Sequence, residues 1–198
     1  MELKKYEHLL STDIWFNYPH FYNWIASLGY KKFVEVGVWK GHSISHLAQV
    51  LKEQNDPEIE IYAVDLFDET YKYDGVKHGT DQLRDQKKFL LEIYKENLKR
   101  AGVDDIVQTI KGMSWEMADK FEDDSLDFVF LDAGHDYDEC SKDLEAYWPK
   151  IKDGGILAGH DWLNTNCGVR EAVKNFFGKL SLGVATSTPS SICWYVKK

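Results

Sequence analysis

The chain has 198 residues, of which 43% are hydrophobic, and a formal net charge of -9 at pH 7. This length and apolar content favour one compact domain, and the acidic charge argues against a surface that neutralises a nucleic-acid backbone. The three cysteines, Cys140, Cys167 and Cys193, are widely spaced and form no CxxC pair, which argues against a zinc or thioredoxin-type motif and favours a reducing compartment.

The N-terminal segment, residues 1–30, has an unusual density of aromatic residues just before the first predicted strand. Its large apolar residues are Ile14, Trp15, Phe16, Tyr18, Phe21, Tyr22 and Trp24. Two interpretations stay open: a helix that packs across the edge of a sheet, or a lid that closes over a substrate. The same residues are suited to burial between two subunits, so a monomer and a homodimer are both compatible with the sequence.

Apolar runs are short throughout the chain. The longest, such as 128–131, fall far below the ~20 residues that cross a bilayer. The first residues also lack the apolar region of a secretory signal peptide. We therefore expect a cytoplasmic protein that does not associate with a membrane.

From residue 32 onwards, short β-rich apolar runs alternate with helical patterns. Strands are predicted at 32–36, 60–64, 106–110, 127–131 and 155–158, and helices at 43–52, 81–101, 114–120, 137–148 and 169–177. This alternation predicts an α/β fold, a Rossmann-like three-layer sandwich with a mostly parallel sheet. Two further strands, 182–186 and 191–196, leave no room for a helix between them. They must pair antiparallel or lie apart, and we predict an antiparallel hairpin that completes a seven-stranded sheet.

The first predicted strand runs into a glycine turn. Gly37 and Gly41 let a ligand approach the backbone, and Ser43 opens a helix whose N-terminus stabilises an anionic group. The spacing is Gly-x-x-x-Gly rather than Gly-x-Gly-x-x-Gly, and Glu35 would repel a pyrophosphate. S-adenosylmethionine (SAM) carries an ammonium and a sulfonium beside its carboxylate, so the turn favours SAM over a nicotinamide dinucleotide.

A carboxylate closes the next strand. Asp65 stands where an acid can accept both hydroxyls of a nucleoside ribose, although an acid at a strand end is also common without a function. The pattern Glu-x-Gly-x-x-x-Gly-x-Ser followed by this acid resembles the first two motifs of class I SAM-dependent methyltransferases. The resemblance extends to the loop after the third strand, which frames the adenine in that family, although Trp115 also suits a core position. It implies a SAM site formed by Glu35, Gly37, Val38, Trp39, Gly41, Ser43, Asp65, Leu66, Met113, Ser114, Trp115 and Asp132.

Acidic and histidine side chains follow the fourth and fifth strands. Because open α/β sheets place ligands at the carboxyl ends of their strands, Asp132, His160 and Asp161 are expected to converge and to bind magnesium or another divalent cation. Alternatively, the acids cap the helices that follow. Asp132 and His135 are the predicted catalytic residues, with His135 as a general base. The alternative for His135 is a loop residue bonded to its neighbours Asp136 or Tyr137.

The second half of the chain carries a further resemblance. Asp132-Ala-Gly-His-Asp-Tyr, Asp143-Leu144, Trp148-Pro149, Gly-Gly-Ile-Leu-Ala-Gly-His-Asp161 and Gly168-Val-x-x-Ala-Val173 resemble macrocin-type sugar O-methyltransferases and, more distantly, catechol O-methyltransferases. Those enzymes use a divalent ion to bind adjacent hydroxyls, and Asp132 and Asp161 match its carboxylate ligands. The resemblance implies one methyltransferase domain over 1–198, with a helical or lid segment at 1–30 and a catalytic core at 31–198.

The expected activity is O-methylation of a small hydroxylated molecule assisted by a divalent cation. Sugar, phenol and peptide acceptors all remain open, because the residues expected to contact the acceptor lie in the N-terminal segment and in 67–80. Three alternatives are retained: a metal-independent methyltransferase, a non-catalytic nucleotide- or SAM-binding module, and an NAD-dependent oxidoreductase. Methylation of a nucleic-acid ribose is disfavoured, because no lysine follows the fourth or fifth strand.

Overall fold

The computed structural model describes residues 16–68, 89–165, 167–178, 182–188 and 191–198, with only the backbone at 185–188 and 191–192. Its strands are β1 (Lys32–Val36), β2 (Glu60–Asp65), β3 (Val107–Lys111), β4 (Leu126–Leu131), β5 (Ile151–Gly159), β6 (Leu182–Thr188) and β7 (Ser191–Lys197). The α-helices of the described residues are α1 (Pro19–Ala26), α2 (His42–Lys52), α3 (Leu90–Ala101), α4 (Ser114–Met117), α5 (Tyr137–Tyr147) and α6 (Val169–Phe177).

The strands form one sheet in the order β3-β2-β1-β4-β5-β7-β6. The pairs β1–β2, β1–β4, β2–β3 and β4–β5 are parallel, whereas β7 is antiparallel to both β5 and β6. This topology confirms the predicted Rossmann-like sheet with its antiparallel C-terminal hairpin. It also brings the carboxyl ends of β1, β2 and β4 to one edge, where the glycine turn and Asp132 follow their strands.

Side chains of alternate residues on the central strands fill two cores, one on each face of the sheet. Phe33, Phe128 and Phe130 face α1, α2 and α3, whereas Val34 and Val129 face α5 and α6. All six residues of β4 are buried, as expected for a central strand covered on both faces. The sheet with its two helical layers is therefore the predicted three-layer sandwich.

Several predicted boundaries differ from the observed ones. Strand β5 begins at Ile151 rather than at residue 155. It continues through Gly154, which has φ +82°, with a register shift against β4, so this glycine lies within the strand rather than before it. The predicted helix over 114–120 is an α-helix to Met117 and then a 3-10 turn, Ala118–Lys120. Of the predicted helix over 81–101, residues 81–88 lie outside the described residues, as do Ile14, Trp15 and residues 69–80. No helix among the described residues is long and apolar enough to cross a membrane.

Candidate active site

The glycine turn after β1 packs directly against the loop after β4. Gly37 has φ +87°, and a Cβ atom at this position would clash with the backbone oxygen of Asp132. The backbone N–H of Asp132 donates to the carbonyl of Val36 at 2.8 Å. Only glycine fits the turn here, because it needs both a left-handed conformation and the absence of a side chain. The contact places the predicted cofactor turn beside Asp132.

Asp65 organises the same turn from the end of β2. Its Oδ2 accepts the backbone N–H of Trp39 and its Oδ1 that of Phe67, both at 2.9 Å. Burial raises the pKa of Asp65, and hydrogen bonds from these amides and from those of Val38 and Leu66 oppose the increase. Four residues predicted to hold the cofactor, Val38, Trp39, Asp65 and Leu66, thus lie together.

Glu35 is enclosed behind this turn. It is 1% exposed, and its carboxylate accepts hydrogen bonds from the hydroxyls of Tyr22, at 2.9 Å, and Ser43. Burial raises the pKa of Glu35 to about 8, the negative charges of Asp132 and Asp65 add to the increase, and the two hydroxyls oppose it. A cation beside this turn would stabilise the charged carboxylate, so the surroundings of Glu35 fit a ligand with an ammonium or sulfonium group.

Glu35 makes the stability of the ligand-free protein depend on pH. An acid with a raised pKa binds its proton more tightly in the folded state than in the unfolded state, so stability is lost as the pH rises towards the folded pKa. Between pH 6 and pH 8 we expect Glu35 to contribute a loss of about 2 kcal/mol in the free energy of unfolding. Urea unfolding at both pH values should show this loss reduced in Glu35→Gln.

Glu53→Gln is the matched control, because Glu53 is an exposed glutamate at the end of α2. It should keep the full pH dependence of the wild type. Equal pH dependence in Glu35→Gln and in the wild type would contradict a buried, protonated Glu35.

The loop after β3 reaches the same edge of the sheet. The backbone N–H of Gly112 donates to the carbonyl of Asp65 at 3.0 Å, which brings Met113, Ser114 and Trp115 close to the end of β2. Trp115 is half-buried and belongs to neither core, and the Lys142 ammonium lies 4.7 Å from its ring centroid. The predicted adenine loop is therefore next to the predicted ribose contact.

Helix α5 packs against this loop and carries a buried acid that was not among the predicted site residues. Asp143 is 2% exposed and lies beside Ser114, and the Tyr147 hydroxyl donates to the Ser114 carbonyl at 3.0 Å. Burial raises the pKa of Asp143 to about 7. In the sequence, only its position on the apolar face of α5, between Cys140 and Leu144, indicates that this acid is buried.

Beyond the turn, the acids after β4 and β5 converge on one histidine. His135 Nε2 lies 3.3 Å from Asp132 Oδ1 and 2.9 Å from Asp161 Oδ2. Ligand atoms of all three residues lie within 4.8 Å of one another, as divalent-cation ligands require. The side chains of Asp132, His135 and Asp161 are 23%, 28% and 18% exposed.

The acid cluster, Asp132, His135 and Asp161, differs in one member from the predicted metal site. His160 Nδ1 lies 3.5 Å from Asp161 Oδ2 but 4.0 Å from Asp132 Oδ1, and its ring packs on Tyr18. His160 is thus beside the cluster, and its role as a metal ligand stays a prediction.

The charges within the cluster are strongly coupled. Burial lowers the pKa of His135, but hydrogen bonds to Asp132 and Asp161 and their charges outweigh burial and raise it to about 11. Burial raises the pKa of Asp161, but the two histidines hold it well below its usual range. Asp132 and Asp161 direct two carboxylates at one point, and carboxylates are the ligands that a hard divalent cation prefers.

The neighbouring loop residues have other partners. Asp136, rather than Asp132, caps α5 by accepting the backbone N–H of Glu139 at 2.8 Å. The carbonyl of His135 accepts the backbone N–H of Gly168 at 2.8 Å, which fixes the loop against the start of α6. The ring of His135 is therefore left to face the acids.

The chain is similar in sequence to known methyltransferases. A family profile described as a methyltransferase domain matches residues 34–162. A curated relative from Streptomyces olivaceus, "8-demethyl-8-(2,3-dimethoxy-alpha-L-rhamnosyl)-tetracenomycin-C 4'-O-methyltransferase", is 26% identical over 156 residues, which are 75% of this chain and 59% of the relative. The chain thus spans about 59% of the length of that relative.

Solved structures of O-methyltransferases share the fold. The O-methyltransferase NovP superposes with a TM-score of 0.72 at 18% identity, over 92% of this chain and 80% of its own. The O-methyltransferase from Bacillus cereus in complex with S-adenosylhomocysteine (SAH) has a TM-score of 0.66 at 15% identity, over 99% of this chain and 90% of its own.

Proposed function

The chain belongs to the methyltransferase domain family matched over residues 34–162, and we propose that it methylates a hydroxyl of a small molecule with the help of a divalent cation. The observation that carries the proposal is the contact between Gly37 and the Asp132 backbone, which puts the cofactor turn directly beside the acid cluster. Methyl transfer is an in-line displacement, so the methyl donor and the acceptor hydroxyl must meet where the cofactor site borders the acceptor site.

SAM supplies a methyl group activated by its sulfonium. The residues proposed to hold it are those predicted from the sequence: Glu35, Gly37, Val38, Trp39, Gly41, Ser43, Asp65, Leu66, Met113, Ser114, Trp115 and Asp132. A divalent cation held by Asp132 and Asp161, with His135 or His160 as a further ligand, would lower the pKa of an acceptor hydroxyl.

The protein's own groups then align the acceptor and move its proton. The proposed base is His135, whose neutral ring would accept the proton of the acceptor hydroxyl. Asp132 contacts the turn through its backbone and the cluster through its carboxylate, and its proposed role is to orient the acceptor hydroxyl towards the methyl donor. No covalent intermediate is needed for this reaction.

The proposed acceptor is neither a nucleic acid nor a membrane component. The net charge of -9 supports this proposal, since phosphate backbones are bound by basic surfaces. The curated relative is named as a 4'-O-methyltransferase of a rhamnosyl-tetracenomycin. Glycosides with adjacent hydroxyls, together with catechols, are therefore the first acceptors to test. A cytoplasmic location and a homodimer stay predictions.

Isothermal titration calorimetry with SAM, SAH and NAD tests the cofactor. We expect SAM and SAH to bind and NAD not to bind, and binding of NAD alone would contradict the proposal in favour of an oxidoreductase. SAH formation with the acceptor panel then tests catalysis and metal dependence. EDTA should abolish turnover, and added Mg²⁺ should restore it. Turnover that is unchanged by EDTA would favour a metal-independent methyltransferase.

A further inference from the structure

Tyr18, from the N-terminal segment, lies within the proposed active site. It precedes α1 and is 3% exposed. Its ring centroid lies 5.2 Å from that of Phe130 on β4 and 5.1 Å from that of His160 at the end of β5. Its hydroxyl lies 3.4 Å from Asp132 Oδ2. A residue far away in sequence thus contacts the carboxylate of Asp132, the residue whose backbone packs against the glycine turn.

The two oxygens of Asp132 have different partners. Oδ1 faces His135 Nε2 at 3.3 Å, whereas Oδ2 accepts from the Tyr18 hydroxyl. A carboxylate held at only one oxygen can rotate about its terminal bond. The contact at Oδ2 restricts that rotation and keeps Oδ1 directed at the cluster.

Tyr18 also contacts the cofactor side of the site. Its hydroxyl lies beside Ser43, whose own hydroxyl donates to Glu35. A phenol hydroxyl is protonated at neutral pH and serves as a hydrogen-bond donor. Tyr18 lies between a residue of the cofactor motif and a residue of the acid cluster.

We propose that Tyr18 is a positioning residue, whose hydroxyl holds the Asp132 carboxylate in the orientation that directs Oδ1 towards His135 and Asp161. The inference rests on the proposed function in that the acid cluster is taken as the cation site. It gives the N-terminal segment a role at the site beyond packing.

The test compares Tyr18→Phe with Tyr22→Phe in the full chain. Both tyrosines are buried and lie in the same segment, but the Tyr22 hydroxyl donates to Glu35 rather than to Asp132. Calorimetric titration with Mn²⁺ alone should show affinity about tenfold weaker in Tyr18→Phe, since loss of an outer-shell partner weakens metal sites by 10–100-fold. Tyr22→Phe should bind Mn²⁺ as the wild type does.

One metal-independent measurement accompanies the titration. The crystal structure of Tyr18→Phe without metal should show the Asp132 carboxylate rotated away from His135. The variant keeps the ring and its apolar contacts, so we expect it to fold, and its melting temperature checks this.

The outcomes separate the inference from the proposed function. Unchanged Mn²⁺ affinity together with an unmoved Asp132 would overturn the role of Tyr18. Absence of Mn²⁺ binding by the wild type would instead overturn the cation site. In that case the crystal structure still decides on Tyr18: a rotated carboxylate supports the positioning role, and an unmoved one refutes it. Equal weakening of Mn²⁺ binding in both variants would also refute it, since it would reflect general loosening of the segment.

Discussion

Asp132→Asn is expected to lower kcat/KM for any methyl acceptor by at least about 100-fold, and to weaken Mn²⁺ binding by a similar factor. Asparagine keeps the shape of the side chain but removes one of the two negative charges that face His135. A divalent cation then has one charged ligand fewer, and the acceptor hydroxyl loses the group that orients it beside the glycine turn. Steady-state SAH formation and calorimetric Mn²⁺ titration measure the two effects.

Asp138→Asn provides the matched control, because Asp138 lies in the exposed first turn of α5, close in sequence to the acid cluster. It removes the same charge without touching the cluster and should keep both wild-type values. Wild-type turnover in Asp132→Asn would refute a catalytic role for this acid. Lost turnover combined with EDTA-resistant wild-type activity would leave Asp132 as an orienting acid in a metal-independent enzyme.

The meeting of Asp132 and Asp161 was predictable from sequence because it follows from one property of parallel sheets. Each acid follows a short apolar run, and the carboxyl ends of adjacent parallel strands lie at the same edge. The choice between His135 and His160 was not predictable. Both follow a strand end closely, and the direction of each ring depends on loop contacts such as that between the His135 carbonyl and Gly168.

Long-range contacts set the rest of the site. Tyr18 and Asp132 are 114 positions apart, and no periodicity in either segment links them. The enclosure of Glu35 likewise depends on Tyr22, whose place in an aromatic segment indicated packing without indicating the partner. The local sequence pattern therefore predicted the strands and the residues at their ends. The side chains that hold those residues in place come from other elements, and the sequence does not indicate how those elements pack together.

Gly37→Ala tests the contact that joins the two halves of the site. The new methyl group would meet the Asp132 carbonyl, which belongs to backbone and cannot move aside as a flexible side chain can. Left-handed strain costs about 1–2 kcal/mol and overpacking about 1–3 kcal/mol, so we expect a loss of about 3 kcal/mol in the free energy of unfolding. Where the variant folds, SAH affinity should fall by at least about 100-fold, because the turn must move away from β4.

Gly29→Ala separates strain from contact. Gly29 also has positive φ, +74°, but a Cβ atom there meets nothing within 4 Å. This control carries the conformational strain alone, so it should lose only about 1–2 kcal/mol and bind SAH as the wild type does. Equal losses in the two variants would mean that the Gly37–Asp132 approach contributes nothing beyond backbone conformation. A larger loss in Gly37→Ala, with SAH affinity reduced in that variant alone, would show that the cofactor turn depends on its direct packing against the loop of the acid cluster.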